Sequence, residues 1–350
     1  MHSLLAEHFA AVADRLGDNG AAFSERTVMV IGAWGFVDQQ FVGSFTELNR
    51  RLPRPIEVIG VDSLITGVRN RQVLEDEHLR FVEHDIREPL ELEAAPDFVV
   101  HAAGVASPVY YRQFPIETIE VATLGTRNVL ELAQAHGARA LYFSSSEIYG
   151  DPDTANIPTP ETYRGNVACL GPRACYDESK RMGETLCYIH ARYFATQVAI
   201  VRPFNVYGPG MRENDYRVLP NFAKAIQSGE ALTVYASGRQ TRTYCYSVDA
   251  MTGFLLALLH GRVGEAYNIG AAGPEISVVQ LAEILEAVHG KPLARTFIDY
   301  PDTYPADEPQ RRCPDLEKAR RELGYKPEVT IEQGLERYLR WATEVYGAGP

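Results

Sequence analysis

The apolar run Thr27-Val-Met-Val-Ile31 leads straight into Gly32-Ala-Trp-Gly35 and then into a helical pattern with Phe36, Phe41, Val42, Phe45 and Leu48 on one face. A strand, a glycine turn and a helix in that order favour a parallel crossover, in which the helix returns the chain to lay a second strand beside the first. That second strand reads from Ile56 to Val61 and ends at Asp62. Further short apolar runs stand at Phe81 to Val82, Phe98 to His101 and Ala140 to Ser144, and a long helical pattern ending in Asn128-Val-Leu-Glu-Leu-Ala133 separates the last two. None alternates apolar with polar residues. Each strand is therefore expected to be covered on both faces, which is the α/β class with a doubly wound, Rossmann-type parallel sheet.

The texture divides the 350 residues into three parts. Residues 1–25 place Leu4, Leu5, Phe9, Val12 and Leu16 at the spacing of a small amphipathic helix, an N-terminal extension. Residues 26–200 form the dinucleotide-binding unit. Residues 201–350 read as a smaller substrate lobe interleaved with the last sheet elements, punctuated by Pro203, Pro209 and Pro220. Helices resume there at Ser277 and Thr330, each opened by a capping box, Ser277-Val-Val-Gln280 and Thr330-Ile-Glu-Gln333.

Charge and cysteine content limit the partners. With 34 basic against 46 acidic residues, a net of −12, the surface argues against nucleic acid and against an anionic membrane. Any anionic ligand needs a local pocket of arginines. The longest apolar stretch, Phe254 to Leu259, is far short of the ~20 residues that cross a bilayer. The N-terminal residues lack a basic start and a cleavage site, and Cys169, Cys175, Cys187, Cys245 and Cys313 show no ligand spacing. A cytoplasmic protein with reduced thiols and no metal is expected.

In the first turn, Gly32 permits the tight bend and Gly35 lets the backbone approach a diphosphate at the positive end of the helix that begins with Phe36 and Val37. Asp62 closes the second strand where a carboxylate accepts hydrogen bonds from ribose hydroxyls and repels a 2′-phosphate, favouring NAD over NADP. The GxxGxxG pattern breaks at its third glycine, where Asp38 stands. Asp38 is expected to turn away from the diphosphate.

Three later segments carry chemistry: Ser144-Ser145-Ser146-Glu147-Ile-Tyr149-Gly150 at a strand end, Tyr176-Asp-Glu-Ser-Lys180 opening a helix, and Arg202-Pro-Phe-Asn205-Val-Tyr-Gly208-Pro209. Tyr176 and Lys180, four apart, share one helical face, so the ammonium is expected to stabilise a phenolate and lower the tyrosine pKa toward working pH. His101 at its strand end is read as serving the cofactor turn, and Cys175 as a packed small side chain.

In this order and spacing the motifs resemble the extended short-chain dehydrogenase/reductases that modify nucleotide sugars, and within them the branch that decarboxylates UDP-glucuronate to the xylose nucleotide. The likeness covers roughly residues 27 to 340 and is densest over Gly171-Pro-Arg173-Ala-Cys-Tyr176-Asp-Glu-Ser-Lys180-Arg181, Gly208-Pro-Gly-Met211 and Tyr235-Ala-Ser-Gly-Arg-Gln-Thr-Arg242. His84-Asp85-Ile86, Gly125-Thr126 with Asn128, and Arg312-Cys-Pro-Asp315 also match. The resemblance implies a catalytic set of Ser145, Glu147, Tyr176 and Lys180. It implies NAD as cofactor, held by Gly32, Gly35, Phe36, Val37, Asp62, Asp85, Ile86, Ala103, Tyr176 and Lys180. It implies a nucleotide-sugar substrate held by Arg173, Asn205, Arg217, Asn221, Arg242 and Arg312, with Arg242 on the diphosphate and Arg173 and Arg312 near the sugar carboxylate. A homodimer through two helices per subunit is part of the same expectation.

Two alternatives stay open. A UDP-glucuronate 4-epimerase, or a relative that releases or rearranges the 4-keto pentose, would share most of these residues, although Glu147 counts against an epimerase. A catalytically silent dinucleotide-binding protein would explain the departures at Trp34, Asp38 and Ala122, but it has no need to retain Ser145, Tyr176 and Lys180. A 4,6-dehydratase would need a carboxylic acid where Ser146 stands.

Overall fold

The computed structural model describes residues 2–67, 76–299 and 308–346. Seven parallel strands form the central sheet in the spatial order Ala266–Ile269, Gln197–Pro203, Arg139–Phe143, Phe98–His101, Thr27–Ile31, Glu57–Asp62 and Leu79–Glu83. The chain starts in the interior of the sheet, builds outward to one edge, then crosses to the other side of Thr27–Ile31. The strand order reverses between Thr27–Ile31 and Phe98–His101, and at such a point the loops diverge and leave a crevice above the carboxyl ends.

Both faces of the sheet are buried, which is why its strands read as unbroken apolar runs. Val28, Val30, Val58, Val100, Leu141, Phe143, Ala199 and Val201 point into one core. Met29, Ile31, Ile59, Val61, Val99, Ala140, Tyr142, Val198 and Ile200 point into the other. The first core is closed by the helices Ser3–Leu16, Phe36–Asn49 and Ser247–His260, the second by Thr126–His136 and Ala174–Tyr193.

The N-terminal helix is an integral layer. Phe9 is buried against Gly43, where an added Cβ would sit 2.2 Å from the ring, so only glycine admits the two helices at this spacing. Asp249 ties three elements together, accepting from the Glu328 and Val329 amides at 3.0 and 2.9 Å and from Arg15. Both predicted capping boxes are present, at Ser277 and Thr330.

The long helical pattern before Ala133 is interrupted. Pro115–Glu120 and Thr126–His136 are joined by a π-helical turn, Val121–Gly125. Gly125 lies against Ile86 closely enough that a Cβ would meet its Cγ2 at 2.9 Å, and Val121 faces the crevice. Such turns recur where a helix must bend past a binding site.

Candidate active site

The crevice is lined by Gly32, Gly35, Asp38, Asp62, Asp85, Ile86, Ala103, Val105 and Val121, among others, and holds about 580 Å³ including its open mouth. Gly32, at φ 96°, sits so close to Ala103 that a Cβ would approach the neighbouring Cα to 2.8 Å, so the turn admits no side chain there. Asp62 accepts from the Trp34 amide at 2.8 Å and the Leu64 amide at 2.7 Å, which fixes its carboxylate at the end of its strand, facing the crevice. Asp85 is gripped by Arg87 at 2.6 Å, and hydrogen bonding from that guanidinium holds its carboxyl below the usual range. Phe36 and Val37 form the first turn of the helix above the glycines. Apolar walls, a turn with glycine at Gly32 and Gly35 before a helix N-terminus and a fixed carboxylate on the neighbouring strand together suit a dinucleotide.

Two expectations about this region require correction. Asp38 does not turn away: it is 4% exposed, lines the crevice, and lies so close to Gly35 that a Cβ there would meet its Oδ2 at 2.6 Å. Its position in the first helical turn points it back over the N-terminus. Trp34 takes another course, stacking on Phe81 with ring centroids 4.4 Å apart. His101 is buried and bonded to Thr126 at 3.1 Å, and burial lowers its pKa to about 3, which leaves it neutral.

The strand Arg139–Phe143 leads into Ser145, whose Oγ accepts from the Glu147 amide at 3.2 Å. Tyr176, in the first turn of Ala174–Tyr193, stands beside Ser145, whose hydroxyl favours the phenolate. Lys180, one turn on, donates to the Phe143 carbonyl at 2.7 Å and lies 5.9 Å from the centre of the Tyr176 ring. The second correction concerns this pair. Burial pushes the Tyr176 phenol up to about 12, with the Ser145 hydrogen bond opposing it, and burial lowers the Lys180 ammonium to about 8. Lys180 spends one of its three donors on the Phe143 carbonyl, and burial outweighs the groups that lower the phenol.

Beside the tyrosine lies a buried ionic cluster. Glu147 accepts from Arg312 at 2.6 Å and from Arg173. Glu308 accepts from Arg173 at 2.8 Å and from Arg242 at 2.5 Å, with Arg312 at 3.5 Å. Burial alone would raise the Glu308 pKa, yet Arg312, Arg242 and Arg173 outweigh it and hold the group at about 2. Burial and then repulsion from Glu147 push Asp177 up to about 7. The three arginines expected around the substrate anions thus stand in one group.

The remaining predicted residues come from the segment 205 to 221. Asn205 adopts φ 41° and donates to the Thr243 carbonyl at 2.9 Å. Arg217 is partly exposed, paired with Asp215, and its guanidinium stands 5.9 Å from the Phe36 ring centre. Asn221 donates to the Tyr216 carbonyl at 3.1 Å.

Sequence reasoning missed three participants. Tyr111 stacks on Tyr176 with centroids 5.5 Å apart and 16° between planes. Arg212 reaches back to the carbonyls of Trp34 and Thr66 at 2.9 and 2.7 Å, pinning the cofactor turn. Glu308 was signalled only by its place four residues before Arg312. Among the described residues no cluster of His, Cys, Asp and Glu could hold a metal ion, and no helix is long and apolar enough to cross a membrane.

Comparison with known proteins agrees with this geometry. The sequence profile of the NAD dependent epimerase/dehydratase family matches residues 28–270. UDP-glucuronic acid decarboxylase 1 of Xenopus tropicalis is 39% identical over 319 residues, covering 90% of this chain and 72% of that protein. UDP-glucuronic acid decarboxylase 5 of Arabidopsis thaliana is 38% identical over 314 residues, covering 89% and 88%. Among solved structures, the dTDP-glucose 4,6-dehydratase DesIV of Streptomyces venezuelae, with NAD and TYD bound, superimposes with a TM-score of 0.78 at 28% identity, covering 92% of this chain and 98% of that one. With its doubly wound sheet and glycine turn, the chain belongs to the NAD dependent epimerase/dehydratase family of extended short-chain dehydrogenase/reductases.

Proposed function

We propose that the protein is an NAD-dependent decarboxylase of UDP-glucuronate: it oxidises C4 of the sugar, releases carbon dioxide from C6 and re-reduces C4 to give the nucleotide pentose. The observation that carries this reading is the meeting of Ser145, Tyr176 and Lys180 with a carboxylate, Glu147, held beside them by Arg173 and Arg312. Bound NAD supplies the hydride acceptor and returns the hydride at the end.

The chain's own residues supply the rest. Tyr176 takes the proton of the C4 hydroxyl, with Ser145 hydrogen-bonded to the same oxygen. Once C4 is a ketone, the C6 carboxylate is β to it, and loss of carbon dioxide leaves an enolate whose charge rests on the C4 oxygen until a proton is taken up at C5, which restores the ketone before C4 is re-reduced. Tyr176 and Ser145 then donate hydrogen bonds to that oxygen, so they stabilise charge where it develops. Glu147 faces C5 and C6 in this reading, Arg173 and Arg312 orient the carboxylate, and Arg242 holds the diphosphate, since the planar guanidinium fork suits both anions. Asn205, Arg217 and Asn221 line the nucleotide side, and residues 201–350 act as the substrate lobe over the cofactor unit of 26–200.

A cytoplasmic homodimer belongs to the same proposal. It is supported by apolar side chains exposed on the helices flanking the second core, Ile116 and Ile119 on one and Met182 and Tyr188 on the other. Product analysis by mass spectrometry with UDP-glucuronate and NAD tests the activity. Loss of carbon dioxide is expected; unchanged mass with altered stereochemistry would move the assignment to a 4-epimerase, and loss of water to a dehydratase.

A further inference from the structure

The cofactor turn contains a carboxyl group that the mechanism above does not use. Asp38 is the third residue of the helix Phe36–Asn49, whose N-cap is Gly35. It occupies the place of the third glycine in the GxxGxxG pattern, is 4% exposed, and lines the crevice, and its Oδ1 is buried without a hydrogen-bond partner. A buried carboxyl with one oxygen left unpartnered, at a helix N-terminus, lies where a diphosphate is drawn by the first-turn amides and the helix dipole. Two anions cannot share that position cheaply in a water-poor site. A neutral carboxylic acid can, because it has a proton to donate.

We propose that Asp38 is a cofactor-positioning residue which stands as a neutral acid and donates a hydrogen bond to a diphosphate oxygen of NAD, so that cofactor affinity falls as pH rises and Asp38 ionises. The surroundings favour the neutral form. Burial first, and then the charge of Asp62 on the neighbouring strand, raise the Asp38 pKa well above the usual carboxylate value. Its own amide and Lys180, from the helix Ala174–Tyr193, oppose this more weakly. His101 is neutral, and the Arg212 guanidinium is directed at the Trp34 and Thr66 carbonyls.

The inference rests on the crevice holding NAD, and the experiment separates the two. Dissociation constants of NAD are measured by isothermal titration calorimetry on the full chain and on Asp38→Asn and Asp38→Gly, between about pH 6 and about pH 9, where an acid titrating in this window changes affinity up to about tenfold per pH unit. Lys180 and Asp62 titrate in all three proteins, so the quantity read is the ratio of wild-type to variant. The expected result is that the wild-type constant rises at least about tenfold relative to both variants across this range, with adenosine, which has no diphosphate, showing no such divergence. A ratio constant to within about threefold overturns the role of Asp38 while leaving NAD binding intact. No NAD binding at any pH overturns both. If Asp38→Asn fails to fold by circular dichroism, Asp38→Gly, which restores the family's own residue, carries the comparison.

Discussion

Nη2 of Arg312 lies 2.6 Å from Oε2 of Glu147, closing a contact across 165 residues of sequence. The pair joins the 3-10 turn Ser146–Tyr149 to the short strand Arg311–Arg312, so the loop after Ser145 and the C-terminal region share an ion pair.

Arg312→Ala therefore removes a candidate carboxylate ligand and one of the two arginines, with Arg173, that hold Glu147. Binding of UDP-glucuronate is expected to weaken by about 30-fold or more, since losing one partner of a buried charge pair costs about 2 to 5 kcal/mol. The neutral analogue UDP-glucose keeps its diphosphate contacts and should change by less than about threefold. Calorimetry with both sugars decides the matter, and equal losses would reject the assignment of Arg312 to the sugar carboxylate.

Tyr176→Phe deletes one oxygen and keeps the ring that stacks on Tyr111 at 5.5 Å. Turnover should fall by ~10²- to 10⁴-fold, the usual worth of a positioned acid–base group, with NAD affinity within about twofold of wild type. A rate retained within about tenfold would exclude Tyr176 as the base.

Much of this architecture was legible in the sequence, for a physical reason. A strand covered on both faces has to be apolar throughout, so Thr27–Ile31 and Phe98–His101 announced themselves residue for residue. Caps are local chemistry, and Ser277 and Thr330 could be read from four residues each. The ionic cluster was only half legible. Arg173, Arg242 and Arg312 were visible through motifs, but Glu308 enters through a contact with Arg242 66 residues away, which no periodicity encodes. The behaviour of Tyr176 and Lys180 was misjudged for a related reason. Four-residue spacing places two side chains on one face, but burial and the Phe143 carbonyl, supplied by another element, set their pKa values.

Asp177 gives a prediction about stability against pH. Its folded value of about 7 stands above the ordinary 3.8, because burial and then Glu147 disfavour the carboxylate. The folded chain thus holds a proton that the unfolded chain releases, and the resulting stabilisation is fully present below the unfolded value and lost as pH rises through about 7. Asp177→Asn should remove that loss, so urea midpoints of wild type and variant diverge from about pH 4 upward. Glu308, held at about 2, contributes in the opposite sense, but only as pH falls below its ordinary 4.5. Parallel midpoint curves for the two proteins between about pH 4 and about pH 7.5 would contradict the assignment to Asp177.

Phe9 and Gly43 provide the test of the N-terminal layer. Phe9 is fully enclosed, and removing its ring by Phe9→Ala should cost about 3 to 5 kcal/mol, as large-to-small core changes do. Gly43→Ala places a methyl group 2.2 Å from that ring and should also destabilise, because neither the helix backbone nor the enclosed phenyl can yield freely. In the double variant the methyl enters space that the ring has vacated, so the two penalties should not add. The doubly substituted protein is expected to be more stable than the sum of the single losses by about 1 kcal/mol or more, read from urea unfolding as a double-mutant cycle. Strict additivity would mean that the N-terminal helix does not pack on Gly43 in solution.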